Sequence, residues 1–245
     1  MTRILGYTDR FSAIPGQDIQ VMVSCLGLES YEAEIVRVIQ GDTNPDGPGY
    51  KEERVEFDLG GPFSGRHQPI HTGSYGVVGD SSVLRDLSSF TIQTFVWPTL
   101  PGRGPQTILS RENPASRTGF RLYLDESGAL AFELSVPGAG GTAVSTGTPL
   151  ITEKWYLVSG SYDAQTGLLS VCQHPLQSYP SVNDASTASK TVSPGLSQTD
   201  TAAGVLIAAR PAGDRPAREH FNGRVEAPRI IARAIEKAQT KTLLL

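Results

Sequence analysis

Alternating apolar and polar positions divide the chain between Ser89 and Asp163 into short runs separated by turn residues. Phe90, Ile92 and Val96 fall on one parity, and Phe95 and Trp97 on the other. A run that is apolar on both faces suits an interior strand, and Pro98 ends it. Phe120, Leu122 and Leu124 then share a face, with Arg121 and Tyr123 opposite. Asp125-Glu126-Ser127-Gly128 turns the chain, and Leu130, Phe132, Leu134 and Val136 continue the inward face while Ala131, Glu133 and Ser135 point outward. This is a hairpin pattern. A second hairpin runs from Trp155 to Tyr162, turns through Asp163 to Gly167, and returns along Leu168 to Gln173. Many short strands at this spacing predict an all-β fold, an antiparallel β-sandwich.

The pattern extends to both sides. Ile19, Val21 and Val23 alternate with Gln20, Met22 and Ser24 after the Pro15-Gly16 turn signal, which predicts a strand. Helix competes for Tyr31 to Gln40, but the β-branched residues of its second half favour strand. The stretch up to Glu53 reads as loop, Val55 to Leu59 as a short strand, and Gly60 to Gly76 as loop again. Ser74 to Leu84 is the expected first strand of the sandwich. Gly138-Ala139-Gly140-Gly141 reads as a flexible loop and Pro175 to Thr201, rich in Ser, Thr, Pro and Asn, as a long surface loop. Val205 to Ala209 and Phe221 to Ile231 supply closing strands, and Ala232 to Thr240 has helical composition. The expected division is an N-terminal β segment over 1–73, a β-sandwich over 74–236, and a tail over 237–245. The N-terminal segment offers two or three strands, too few for a sandwich of its own. The closing Leu243-Leu244-Leu245 suggests a chain cut within a longer protein.

Composition narrows the role. The formal charge of −4, with no Lys/Arg cluster, argues against nucleic acid as a partner, because phosphate contacts need a basic surface. No run approaches the ~18 apolar residues of a membrane span, and Met1 to Phe11 lacks the apolar core of a signal peptide, so the expectation is a cytoplasmic protein without membrane association. Cys25 and Cys172 each sit in an apolar run and read as buried thiols rather than a disulfide.

Each residue group with the makings of a chemical site has a plainer reading. Asp42, Asn44 and Asp46 alternate as in a calcium loop, with Gly47 and Glu53 at the matching positions, but Pro45 and Pro48 are awkward there and an Asx-turn loop suffices. His67 and His71 have the spacing of a helical metal pair, yet Pro69 lies between them. Glu53, Glu56 and Asp58 lack the spacing of paired glycosidase carboxylates, and Glu133 is alone on its strand. Asp125 and Asp163 fit turn formation, and Trp155, Tyr156 and Tyr162 fit core packing. There is no phosphate-cradling loop, dinucleotide fingerprint or nucleophile elbow. No catalytic, cofactor-binding or metal-ligating residue is assigned to any position of this chain.

FTIQTFVWPT, QTILSR, GFRLYLDESGALAFELS, KWYLVSGSYDAQTGLLSV and HFNGRVEAPRI resemble, in that order, the landmarks of laminin-G-like, concanavalin-A-like jelly rolls. GYTDRFSAIPGQDIQVMVSC, YEAEIVRVIQGDTNPDGPGYKEE and RHQPIHTGSY resemble the start of the large (beta) subunit of the bacterial N,N-dimethylformamidase family, in which such a jelly roll follows and ends in a run like Asn222 to Arg229. The resemblance implies a parent amidohydrolase of N-substituted formamides. It also implies an iron held by one tyrosine and two glutamates in a region that this chain lacks, so no ligand is carried onto any residue here. The partners implied are the rest of a larger subunit and other subunits of an oligomer. The expected role is a non-catalytic structural and interaction module. A lectin-like carbohydrate-binding module is the alternative, with Gly138 to Thr148 and Gln177 to Asp200 as its expected binding loops.

Overall fold

The computed structural model describes residues 3–69, 71–80, 82–85, 87–113, 115–116, 118–136, 140–177, 184–193, 203–213 and 216–235. The chain forms two compact units, Met1–His71 and Thr72–Leu245.

The first unit is three two-stranded antiparallel ladders: β1 (Ile4–Thr8) with β2 (Val21–Cys25), β3 (Ser30–Tyr31) with β6 (Phe63–Ser64), and β4 (Ile35–Gln40) with β5 (Lys51–Val55). Six strands replace the expected two or three. Strand wins over helix at Ile35–Gln40, as its β-branched residues predict. β5 begins at Lys51, inside the stretch expected to be loop, and Glu56 to Leu59 form no element. Its alternation was invisible because all five residues are exposed and polarity does not vary between the faces. Tyr31 stacks on Phe63 at 5.4 Å. Within this unit Cys25 is the one buried apolar side chain among the described residues, whereas Leu5, Tyr7, Phe11, Ile14 and Val21 lie exposed.

The second unit is the sandwich. It comprises β7 (Gly76–Val78), α1 (Ser82–Arg85), β8 (Phe90–Pro98), β9 (Gln106–Asn113), β10 (Thr118–Leu124), β11 (Ala129–Val136), β12 (Gly140–Pro149), β13 (Tyr156–Asp163), β14 (Leu168–Pro175), β15 (Ser186–Thr191), β16 (Val205–Ile207) and β17 (Gly223–Ile231). A six-stranded sheet in the order β12-β11-β10-β9-β16-β7 faces a five-stranded sheet in the order β15-β14-β13-β8-β17. All ladders are antiparallel. The parities read from the sequence are the ones that close the core. Phe90, Ile92, Val96, Phe120, Leu122 and Phe132 are fully buried. Phe90 lies 4.6 Å from the Phe120 ring and 6.1 Å from Phe132. Each such side chain contributes about 1.5–3 kcal/mol through burial. Gly160 on β13 makes room for Phe132, since a Cβ there would stand 2.5 Å from the ring.

Four expectations for this unit are corrected. The first strand shrinks to Gly76–Val78, and Ser82–Arg85 is a helical turn braced by Arg85 Nε donating to Asp80 at 2.8 Å. Of the expected Gly-rich loop, the described residues Gly140 and Gly141 are strand, in β12, where they pair with Val136 and Ser135. Gly141 suits this position, for a Cβ would collide with the Glu133 carboxylate. The expected long loop contains β15, whose Ser/Thr/Ala alternation carries no hydrophobic signal, paired along β14. Trp155 precedes β13 rather than opening it. The helical composition beyond Ile235 and the leucine terminus lie outside the described residues. No helix among the described residues is long and apolar enough to cross a membrane.

Candidate binding cleft and its ionic support

Strand alternation puts Arg121 and Tyr123 of β10, Glu133 of β11 and Glu112 of β9 on the outer face of the six-stranded sheet, opposite the core. A segment leaving β16 turns back over this face. Arg210 and Arg218 form a bridge in it, and Thr107 N donates to the Glu219 carbonyl at 2.7 Å. This fold-back inserts Arg210 and Glu219 among the strand residues. Arg121 Nε donates to Glu133 and its Nη1 to Glu219, both at 2.7 Å. Arg210 grips both oxygens of Glu112, at 2.7 and 3.0 Å, and lies 3.4 Å from Glu219. The Arg121 guanidinium stacks 3.9 Å from the centre of the Tyr123 ring. All five charged side chains are largely withdrawn from water, between 12% and 22% exposed.

Electrostatics follows from this geometry. Burial pushes the Glu112 carboxyl up, and Arg210 offsets this without cancelling it. Burial would lower Arg121, but Glu133 and Glu219 more than compensate and leave it raised. Glu219 holds φ at 51°, a left-handed conformation that costs a non-glycine residue about 1–2 kcal/mol. Its carboxylate reaches Arg121 and Arg210, while the next residue, His220, lines a cavity.

The cavity is a cleft of about 810 Å³. Thr72 to Gly76 form one wall, Arg103, Pro105 and Gln106 another, and Ile207, Ala208 and His220 to Gly223 the floor. Gly73 crosses directly over the imidazole, where a Cβ would stand 2.4 Å from Cγ of His220, and its φ of 115° requires glycine. The Tyr75 and His220 rings lie 5.9 Å apart at 52°. His220 is held on both sides, by the Glu219 carbonyl bond to Thr107 and by Phe221 N donating to Ala208 O at 2.9 Å.

The residues weighed from sequence have other duties. Asp125 Oδ1 accepts from the Ser127 and Ala129 amides at 2.9 and 3.1 Å, and Asp163 accepts from Gln165 N and Thr166 Oγ1 at 2.9 and 2.8 Å, so both close turns. Asp42 and Asn44 accept from the amides two residues on, as Asx turns. His67 and His71 are exposed, in residues with no regular element. Tyr156 and Tyr162 are core residues, and Trp155 is half-buried. Cys25 is buried, Cys172 half-buried, and no disulfide joins them. Of the expected binding loops, residues 178–183 and 194–200 lie outside the described residues, as do Gly138 and Ala139; the rest of 140–148 is β12.

A second buried cluster, which no spacing in the sequence marks, lies where β13 begins. Lys154 Nζ donates to Asp184 at 2.7 Å, the Tyr156 hydroxyl donates to the same carboxylate, and Gln173 Nε2 donates to the Asp184 carbonyl at 2.9 Å. Burial would raise Asp184, but the bonds from Lys154 and Tyr156 hold it below the usual carboxylate range. Burial and then the bond to Asp184 push the Tyr156 hydroxyl well up.

The described residues do not fit the iron that the resemblance implies. Tyr123, Glu133 and Glu219 gather around Arg121, but guanidinium groups already occupy the place of a cation. Among the described residues no three His, Cys, Asp or Glu side chains are placed to hold a metal ion.

A two-sheet jelly roll with a rim cleft defines a class, and residues 71–240 match the family described as the concanavalin A-like lectin/glucanases superfamily, to which this chain belongs. Over 98% of its length it also resembles the N,N-dimethylformamidase beta subunits of Paracoccus aminophilus, at 37% identity, and of an Alcaligenes species, at 34%. The match covers 33% of each, so the chain spans about a third of the length of the curated relatives it matches. The resemblance drawn from the N-terminal runs and from Asn222 to Arg229 is thereby borne out. Among solved structures, the CBM40 of the Ruminococcus gnavus IT-sialidase, bound to α2,3-sialyllactose, superposes with a TM-score of 0.57 over 71% of this chain and 93% of that one. At 14% identity that likeness shows the fold.

Proposed function

We propose that this chain is a non-catalytic structural and interaction module of an N,N-dimethylformamidase-like amidohydrolase. The observation that carries the reading is the first unit, whose three ladders bury one apolar side chain among the described residues while Leu5, Tyr7, Phe11, Ile14 and Val21 face outward. Paired strands without a core need further protein to cover them. Curated relatives three times as long supply the candidate: the remainder of the same subunit. The parent reaction, hydrolysis of N-substituted formamides, and its iron then belong to that remainder. The charges on the sandwich suit such a role, because Glu112, Glu133 and Glu219 are committed to Arg121 and Arg210 and none is left as an acid or base. Dimethylamine release from N,N-dimethylformamide tests this. With iron supplied, the chain alone releases none. A chimera in which it replaces the matched third of the Paracoccus aminophilus subunit retains hydrolysis. Turnover by the chain alone overturns the reading.

A second reading is carried by the cleft, which sits at the rim of a fold shared with a sialyllactose-bound module. On this reading the chain holds a carbohydrate of its partner or substrate surface. A glycan screen that returns no binder removes it.

A further inference from the structure

We propose that the rim cleft is a binding site for a small organic carboxylate carried on a flat ring, with Arg103 meeting the carboxylate and Tyr75 and His220 meeting the ring. The volume of about 810 Å³ lies within the range of small-molecule sites and leaves room for a ring and its substituents.

Charge selects the ligand. Among the described lining residues, Arg103 carries the one formal charge and none is a carboxylate. Arg103 makes no ion pair among the described residues. The acids that neighbour the site in sequence or space are engaged elsewhere. Glu219 turns into Arg121 and Arg210, and Glu126 approaches Gly104 without pairing with Arg103.

Hydrogen-bonding capacity points the same way. Gln106 is spent: its Nε2 donates to the Leu100 carbonyl at 2.7 Å, and its Oε1 accepts from Asn222 N at 2.8 Å. Asn222 Oδ1 accepts from Thr99 at 3.2 Å, which leaves the Asn222 amide nitrogen as a donor. The Asn222 amide donor, with its own acceptor already satisfied and a guanidinium in the same lining, complements an acceptor-only group. A carboxylate meets a guanidinium through two charge-assisted bonds, which a neutral amide cannot reproduce.

The apolar end is built in advance. His220 is fixed through the backbone of Glu219 and Phe221, Gly73 packs against its ring, and Tyr75 stands 5.9 Å away. A ring held in place with a second beside it favours a planar partner and lowers the ordering cost of binding. The inference does not depend on the amidohydrolase reading, because every residue it uses belongs to the jelly roll.

The test is an NMR titration of the full chain with benzoate, benzamide and lactose. Benzoate shifts the Tyr75, His220 and Asn222 resonances and binds at least about tenfold more tightly than benzamide, the loss expected when a charge-assisted pair becomes neutral. Arg103→Gln removes that preference, and Arg103→Lys keeps part of it. Because Arg103 lies on an exposed turn, both variants keep the parent's spectrum outside the cleft. Equal binding of benzoate and benzamide overturns the assignment. So do an undiminished preference in Arg103→Gln, shifts mapping away from the cleft, binding of lactose in preference to benzoate, and no binding at all.

Discussion

Arg121 and Glu219, 98 positions apart in the chain, meet in a 2.7 Å ion pair on the outer face of the six-stranded sheet. That contact ties the fold-back after β16 to the strands beneath it, and Glu219, in a left-handed conformation, directly precedes His220 of the cleft. The two ends of the pair are not equivalent. Removing Glu219 leaves Arg121 with Glu133 and Arg210 with Glu112, whereas removing Arg121 leaves the half-buried Glu133 with no cation. Arg121→Ala is therefore expected to cost about 2–4 kcal/mol and Glu219→Ala about 1–2 kcal/mol. Urea midpoints of the two variants check the order.

The Lys154–Asp184 pair is more deeply buried, at 9% and 3% exposure. Asp184→Ala strands an ammonium and deprives the Tyr156 hydroxyl of its acceptor, with an expected loss of about 3–5 kcal/mol. The double variant Lys154→Met/Asp184→Leu removes both charges and is expected to recover most of that loss. Thermal unfolding of the single and double variants measures the recovery.

Acid stability carries two opposing signatures. Asp184 and Asp125 are held below their ordinary range: burial raises both, and the bonds from Lys154 and Tyr156, or from Ser127 and Ser145, outweigh it. Their contribution is present above the unfolded value of about 3.9 and is lost as pH falls through the folded one. Glu112 is raised by burial, so its contribution is present below about 4.3 and is lost as pH climbs through its folded value. Unfolding midpoints across pH are expected to fall below about pH 4, with a flatter acid limb in Asp125→Asn. Glu112→Gln flattens the limb above it.

Gly160 tests the core. Its missing side chain is filled by Phe132 of the facing sheet, so Gly160→Ala overpacks the centre and costs about 1–3 kcal/mol. A urea midpoint unchanged from the parent would contradict the packing described.

The sandwich was legible wherever one face of a strand is buried and the other is not. Phe120 to Val136 show this best, since their alternation marked the hairpin, whereas the Arg121–Glu133 pair needed the cross-strand register that the fold supplies. The pattern failed where it carries no hydrophobic contrast. Lys51 to Val55 are exposed throughout, and Ser186 to Thr191 are small and polar, so their strands are set by backbone pairing with β4 and β14. The cleft was hidden for a different reason. Arg103, Tyr75 and His220 come from three distant loops that only the closed fold brings together, and no local spacing records it. The run Asn222 to Arg229 lines the cleft through Asn222, Gly223 and Val225, then bulges between Glu226 and Arg229, where Thr94 Oγ1 donates to the Glu226 carbonyl at 2.9 Å.

The central claim is that this chain serves as the interaction module of a larger amidohydrolase subunit. The most direct measurement supplies it in trans to a Paracoccus aminophilus subunit from which the matched third has been deleted, and follows co-elution together with dimethylamine release. The account predicts one co-eluting species whose hydrolysis depends on the added chain. Separate elution, with the remainder hydrolysing N,N-dimethylformamide equally well in the chain's absence, would contradict it.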